Sequence, residues 1–270
     1  MPAAKVLLVT RGDFLTNLAA SRLLLSKDYE MRAIVVHGDA RARRGIDALK
    51  ALWRDSERHY FVYELSQFLF FQLSATLFPR RCLNVAGLAR KLGIPTLSVR
   101  RVNGARARAF AETFQPDLLV SVKCPQRIRE PLLSLARMGS INLHASLLPR
   151  FAGRAPHFWA MSEGATQAGT SVHAMTENFD EGNILVQKRL EIPSGSTAFG
   201  LLMALMRLGG DALVEAVPRA LEGAEGKSQS LENRSYHSHP TPEAYRALRE
   251  HGFRLWRPSE LIKALREART

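Results

Sequence analysis

Lys5 to Thr10 is a short, mostly apolar run closed by Arg11-Gly12-Asp13, and Leu15 to Leu25 then repeats its apolar positions at helical spacing. A second apolar run, Ala33 to Val36, ends at His37-Gly38-Asp39. Further on, Ile94 to Val99 and Leu118 to Val122 read as strands, with helical segments over Val85 to Leu92 and Ala105 to Phe114. Strands alternating with helices predict an α/β fold: an open, mostly parallel, Rossmann-like twisted sheet with helices on both faces. In such sheets ligands sit beyond the carboxyl ends of the strands, where the chain order reverses. Gly12 opens no Gly-x-Gly-x-x-Gly run, so no dinucleotide site is expected there.

Ala198 to Ala220 reads as a long amphipathic helix following Pro193-Ser194-Gly195, and Glu222 to Ser230 is polar and loop-like. Beyond it come Tyr236-His237-Ser238-His239 and two short helices, from Glu243 and Ser259, the first opened by Thr241-Pro242-Glu243. The pattern divides the chain into a main domain, residues 1–220, and a short helical C-terminal extension, residues 221–270. The His-x-His at His237 and His239 has no carboxylate cluster beside it, so it is read as a turn that folds back towards the site, and no metal is expected. One segment stands apart. Tyr60 to Phe78 is nearly continuous apolar and aromatic sequence, broken by Glu64, Gln67 and Gln72. Those breaks argue against a bilayer span, leaving a buried helix over the sheet as the first expectation and a dimer contact or peripheral membrane patch as the alternatives.

The candidate chemistry lies between Ser140 and Leu185. Ile141-Asn142-Leu143-His144 alternates like a strand, which puts Asn142 and His144 on one side and Ile141 and Leu143 on the other. Asp180 follows in a turn ahead of Gly182. Taken singly, each has an ordinary reading as a loop cap or turn residue. Together, an amide, an imidazole and a carboxylate are what acyl-type transfer to an amine needs: an oxyanion donor, a charge stabiliser and a proton carrier.

The motif extends well past three residues. Asn142-x-His144-x-Ser-Leu-Leu-Pro-Arg, Gly153-x-x-Pro156, Trp159-Ala160, Gly164, Gly169-Thr170, His173-x-Met175 and Asp180-x-Gly182-x-Ile184-Leu185 together resemble the folate-dependent formyltransferase family. That family includes methionyl-tRNA formyltransferase, nucleotide-sugar N-formyltransferases and, more distantly, glycinamide ribonucleotide formyltransferase. The resemblance implies transfer of the formyl group of 10-formyltetrahydrofolate to a primary amine, with no metal. It matches Asn142 to the amide that binds the formyl oxygen, His144 to the imidazole that stabilises the tetrahedral intermediate, and Asp180 to the proton relay. It matches Ser146, Leu147, Leu148 and Pro149 to a folate-binding turn. It also matches the Lys123 to Ile128 loop, with Cys124, Pro125 and Gln126, to the one whose backbone meets the pterin. Departures are Ala145 for a usual proline, Arg154 for a common small residue and Asn183 for a frequent aspartate. Arg150 and Arg154 would give the site mouth cations for an anionic acceptor.

Composition changes the picture only at the level of partners. An apolar fraction of 46% and a charged fraction of 23% over 270 residues suit a globular chain with one good core. Cys82 and Cys124 stand far apart with no metal-ligand spacing, and the first residues lack the order of a signal peptide, so a reducing, cytoplasmic setting is expected. The net charge of +13 is mostly arginine: 38 basic residues include only eight lysines. This suits either an anionic partner or an arginine-rich solvated surface. The residues after 220 look too short and too helical for the barrel that methionyl-tRNA formyltransferases carry. The leading expectation is therefore an N-formyltransferase acting on a small anionic amine, such as a nucleotide-linked amino sugar or an amino-acid-derived metabolite. A tRNA-directed enzyme without that barrel, a formyltetrahydrofolate hydrolase and a non-catalytic folate-binding protein are the alternatives.

Overall fold

The computed structural model describes residues 3–38, 53, 57–77 and 82–267. Asp39, the Arg41 to Arg44 cluster and Phe78 lie outside the described residues. The chain opens with strand β1 (Ala4–Thr10), helix α1 (Phe14–Leu25) and strand β2 (Tyr29–Val36). Helices α2 (Arg58–Leu77) and α3 (Val85–Lys91) precede β3 (Thr96–Val99), α4 (Ala105–Glu112), β4 (Leu118–Val122) and β5 (Ser140–His144). A short β6 (Ala152–Gly153) and α5 (Pro156–Ser162) lead into β7 (Gln167–Ala174) and β8 (Ile184–Glu191). The long α6 (Ala198–Leu221), the two-residue β9 (Tyr236–His237), α7 (Pro242–Glu250) and α8 (Pro258–Glu267) complete it.

Seven strands form one sheet in the order β3-β2-β1-β4-β5-β7-β8. The pairings from β3 to β5 are parallel, and β7 and β8 add antiparallel partners beyond β5. This is the open, mostly parallel sheet that the alternation of strands and helices predicts. Period-two side-chain direction shows in β1: Val6 and Leu8 join one core with α1 and α6, whereas Leu7 and Val9 join another with Ala107, Ala111 and Leu132. Both faces are covered, which is why these strands read as continuous apolar runs. The chain order reverses between β1 and β4, and β5 lies next to that point.

The β5 strand is held from beneath by α6, whose N-terminus is capped by Thr197 accepting from the Gly200 N–H at 2.9 Å. A Cβ on Gly209 would lie 2.7 Å from Leu143 Cδ2, so glycine lets α6 pass this close to the strand that carries Asn142 and His144 without displacing the Leu143 side chain.

Tyr60 to Leu77 lies in helix α2, but the expectation that the Tyr60 to Phe78 segment is buried over the sheet needs correction. Tyr60, Phe61, Tyr63, Gln67 and Ser74 face inward, and Phe71 stacks on Phe14 at 4.2 Å. Val62, Phe68, Leu69, Leu73 and Leu77 are exposed by 50–62%. A segment apolar all round carries no periodic signal to say which face packs. The polar breaks mislead as well, because Gln67 turns inward and its amide reaches the Tyr63 carbonyl at 3.4 Å. Among the described residues no helix is long and apolar enough to cross a membrane.

Candidate active site

Asn142 and His144 leave β5 on the side opposite Ile141 and Leu143, which are buried in the core. The antiparallel register sets Asn142 opposite His173 and His144 opposite Ser171. Asp180 comes from the loop between β7 and β8, about forty residues away in sequence. That loop can close on the strands because a Cβ on Gly182 would lie 1.9 Å from the Ala174 carbonyl oxygen. Gln229 pins it from the other side, donating to the carbonyls of Asp180 at 3.0 Å and Gly182 at 2.7 Å. Asp180 itself takes φ +57°, a left-handed conformation that aspartate tolerates better than most residues.

The carboxylate that results sits between two imidazoles. Its Oδ1 is 3.5 Å from His144 Nδ1 and 3.5 Å from His173 Nε2, and its Oδ2 accepts from the Gly153 N–H at 3.0 Å. Burial works to raise the Asp180 carboxyl. The charge of His144, the hydrogen bond and charge of His173 and the Gly153 N–H outweigh it and hold the group well below the ordinary carboxylate range. Asp180 is therefore an anion throughout the physiological range.

Hydrogen bonding decides what the rings can offer. His144 Nε2 lies 3.0 Å from the Phe151 carbonyl and so donates its proton there. Its Nδ1 can then donate to Asp180 only when the ring carries a second proton. His173 Nδ1 likewise donates to the Ala174 carbonyl at 2.8 Å, which leaves Nε2 to accept from the Asn142 amide at 3.2 Å or, when protonated, to donate to Asp180. The result is a proton-holding position on each ring beside one fixed negative charge, with an amide donor alongside.

His173 had appeared in the sequence only as part of a motif. Its strand register opposite Asn142 is the signal that places it, and that register depends on an antiparallel pairing invisible in the local pattern. No pattern in the sequence marks His157. It is 3% exposed, its ring nitrogens have no hydrogen-bond partner among the described residues, and burial and the charge of Lys123 push it down to about 3. It is a neutral ring beside a cavity of about 10 Å³, also lined by Ser146 and Leu147.

The other residues singled out in the sequence surround this cluster in different ways. Ser171 Oγ ties down the Ser146 to Pro149 turn, donating to the Ser146 carbonyl at 2.7 Å and accepting from the Leu148 N–H at 3.2 Å. Gln187 adds a bond to the Leu148 carbonyl at 3.0 Å, and Ser146 Oγ donates to the Arg150 carbonyl at 2.9 Å. Leu147 and Pro149 stay partly exposed. Lys123 follows β4 with φ +48° and places Nζ 3.6 Å from Asp13, the N-cap of α1. Cys124 is raised to about 11 by burial, so its thiol is no nucleophile at neutral pH. Pro125 lies partly exposed in the same loop. Gln126 spends its side chain on the Gly38 and Arg100 carbonyls and the Val102 N–H, and Ile128 is buried in the second core. At these last two positions the side chains are committed within the protein.

Arg150 lies over the Phe151 ring at 4.8 Å and 3.9 Å from Glu163, while Arg154 is exposed one residue from Gly153. The His237 segment does fold back: Tyr236–His237 pairs with Ala152–Gly153, and the His237 ring stacks on Trp159 at 4.4 Å.

Comparison with known proteins agrees with the motif. The formyl transferase family model matches residues 89–217, a wider span than the motif itself. The methionyl-tRNA formyltransferase of Anaeromyxobacter sp. (strain K) is 41% identical over 134 residues, 50% of this chain and 43% of that protein. That of Myxococcus xanthus (strain DK1622) is 37% identical over 142 residues, 52% of this chain and 45% of that protein. The chain thus spans less than half the length of these curated relatives. Among solved structures, a sugar N-formyltransferase from Shewanella sp FDAARGOS_354 superposes with a TM-score of 0.56 at 17% identity, covering 95% of this chain and 94% of that one. Glycinamide ribonucleotide transformylase 1 from Symbiobacterium toebii gives 0.54 at 20% identity, covering 82% and 89%. At such identities the likeness is one of fold.

Proposed function

We propose that the chain, whose residues 89–217 match the formyl transferase family model, moves the formyl group of 10-formyltetrahydrofolate to the primary amine of a small anionic acceptor. The observation that carries this reading is the Asp180 carboxylate set between His144 and His173, with the Asn142 amide beside them. The donor brings an activated formyl group. Asn142 Nδ2–H hydrogen-bonds the formyl oxygen as it becomes an oxyanion, exchanging its bond to His173 for this stronger, charge-assisted one. His144, with Nδ1 turned to Asp180, stabilises the same oxyanion by exchanging its Nε2–H bond to the Phe151 carbonyl for one to that oxygen. Asp180 accepts the proton that the attacking nitrogen loses and, through His144, returns one to the departing folate nitrogen. The Ser146 to Pro149 turn and the backbone of Lys123 to Ile128 flank the ends of β5 and β4, where a flat heterocycle finds apolar walls and backbone partners. Arg150 and Arg154 meet the acceptor's negative charge at the mouth.

A second reading, a tRNA-directed formyltransferase, is favoured by the names of the curated relatives and by the net charge of +13. One experiment separates them. Reduced folate at a hundredfold excess over its dissociation constant should stabilise the fold by roughly 2 to 3 kcal/mol, read as a rise in melting temperature. With the donor present, tetrahydrofolate release should then be screened over nucleotide-linked amino sugars, amino acids and methionyl-tRNA. No thermal shift with any reduced folate would contradict the donor assignment, and turnover on the tRNA alone would favour the second reading.

A further inference from the structure

Away from the triad, and outside the segment matched by the family model, the N-terminal end of α2 and the C-terminal segment enclose a cleft of about 440 Å³. It shares no lining residue with the site described above. Three guanidinium groups, Arg58 from α2, Arg249 from α7 and Arg254 beyond it, line the cleft. All three residues are exposed, and none is paired with a carboxylate among the described residues. Aromatic surface lies between them. The His59 ring stacks on Tyr245 at 4.6 Å with 14° between the planes, and Trp256 adds an indole to the lining. The stack is a built feature: buried Glu57 holds His59 Nδ1 at 2.7 Å and accepts from the Tyr60 N–H at 2.8 Å.

Unpaired guanidinia brought together from separate elements repel one another, so the arrangement is relieved by an anion. Guanidinium forks are suited to phosphate oxygens, and flat π-surfaces to a heterocyclic base. The volume falls within the range of a pocket for one small molecule and is too small for a groove that tracks a polymer. We propose that this cleft is a second ligand site, which binds a nucleoside diphosphate with its phosphates on Arg58, Arg249 and Arg254 and its base against Tyr245 and Trp256. The proposal is independent of the identity of the formyl acceptor.

The test is direct binding by calorimetry at moderate salt, using uridine diphosphate, adenosine diphosphate, inorganic pyrophosphate and a 5′-phosphorylated RNA tetranucleotide as probes. At least one of the two nucleoside diphosphates should bind with one-to-one stoichiometry and more tightly than pyrophosphate. Arg249→Ala/Arg254→Ala should weaken it at least about tenfold, as expected for lost charge-assisted contacts. Tyr245→Leu should weaken the nucleotide while leaving pyrophosphate unaffected. Both variants should keep the wild-type stabilisation by reduced folate, which separates loss of this site from misfolding and from failure of the formyl-donor assignment. Three outcomes would overturn the proposal: no nucleotide binding at millimolar concentration, pyrophosphate binding as tightly as the nucleotides, or affinity unchanged in the arginine double variant. Binding of the RNA without either free nucleotide would overturn it as well.

Discussion

Two partly buried carboxylates in this fold, Asp180 and Asp13, are held ionised by different kinds of neighbour. Asp180 is surrounded by groups that can carry a proton, whereas Asp13 is surrounded by fixed cations and a helix end. At Asp13, burial works against ionisation, but Lys123, Arg11 and the Thr16 hydroxyl and N–H overcome it and bring the group from 3.8 down to about 2. Folding therefore favours the charged form. The stabilisation this gives is complete above pH 3.8, the unfolded value, and fades as the pH falls towards 2. Thermal melting of wild type and Asp13→Asn should differ most at neutral pH and converge on acidification. A constant difference across that window would show that the charge of Asp13 is not the source of its stabilisation. In the sequence Asp13 marked no more than a strand's end, because its cation at Lys123 lies in another loop. Asn142, His144 and Asp180 were legible because a long motif carried them. His173 joins the cluster only through its cross-strand position.

Helix α2 marks how far pattern reading reaches at the scale of an element. Its existence was clear from composition, while its orientation was not: Gln67 turns in and Leu69 and Leu73 turn out. By contrast the bounds of β1 and β4 are legible as continuous apolar runs, and those of α6 from an apolar helical period after the Thr197 cap. The faces of α2 predict opposite outcomes. Leu69→Glu/Leu73→Glu should change folding stability by no more than about 0.5 kcal/mol per site, because neither side chain is buried. Tyr63→Ala, removing a side chain that is 0% exposed, should cost about 3 kcal/mol or more. Denaturant unfolding measures both, and equal losses from the two faces would show that the outer stripe is covered in solution.

On the scale of the whole molecule, the sheet brings three distant pieces of chain to one end. β5 presents Asn142 and His144, the loop after β7 returns Asp180 across them, and β9 folds the chain after α6 against β6, whose Gly153 N–H holds Asp180. The order of strands in the sheet and the antiparallel addition of β7 are long-range facts that no local period encodes. What the sequence did carry was the set of groups that must meet if a formyl group is to pass between two nitrogens. The claim that they act together is tested most directly by Asp180→Asn, which keeps the side chain's shape while removing its charge and its capacity to accept a proton. Single-turnover formyl transfer should be measured on the acceptor that the screen identifies, beside the folate-induced rise in melting temperature. The rate should fall by at least about a hundredfold with that rise unchanged. Near-normal transfer by Asp180→Asn would contradict the claim.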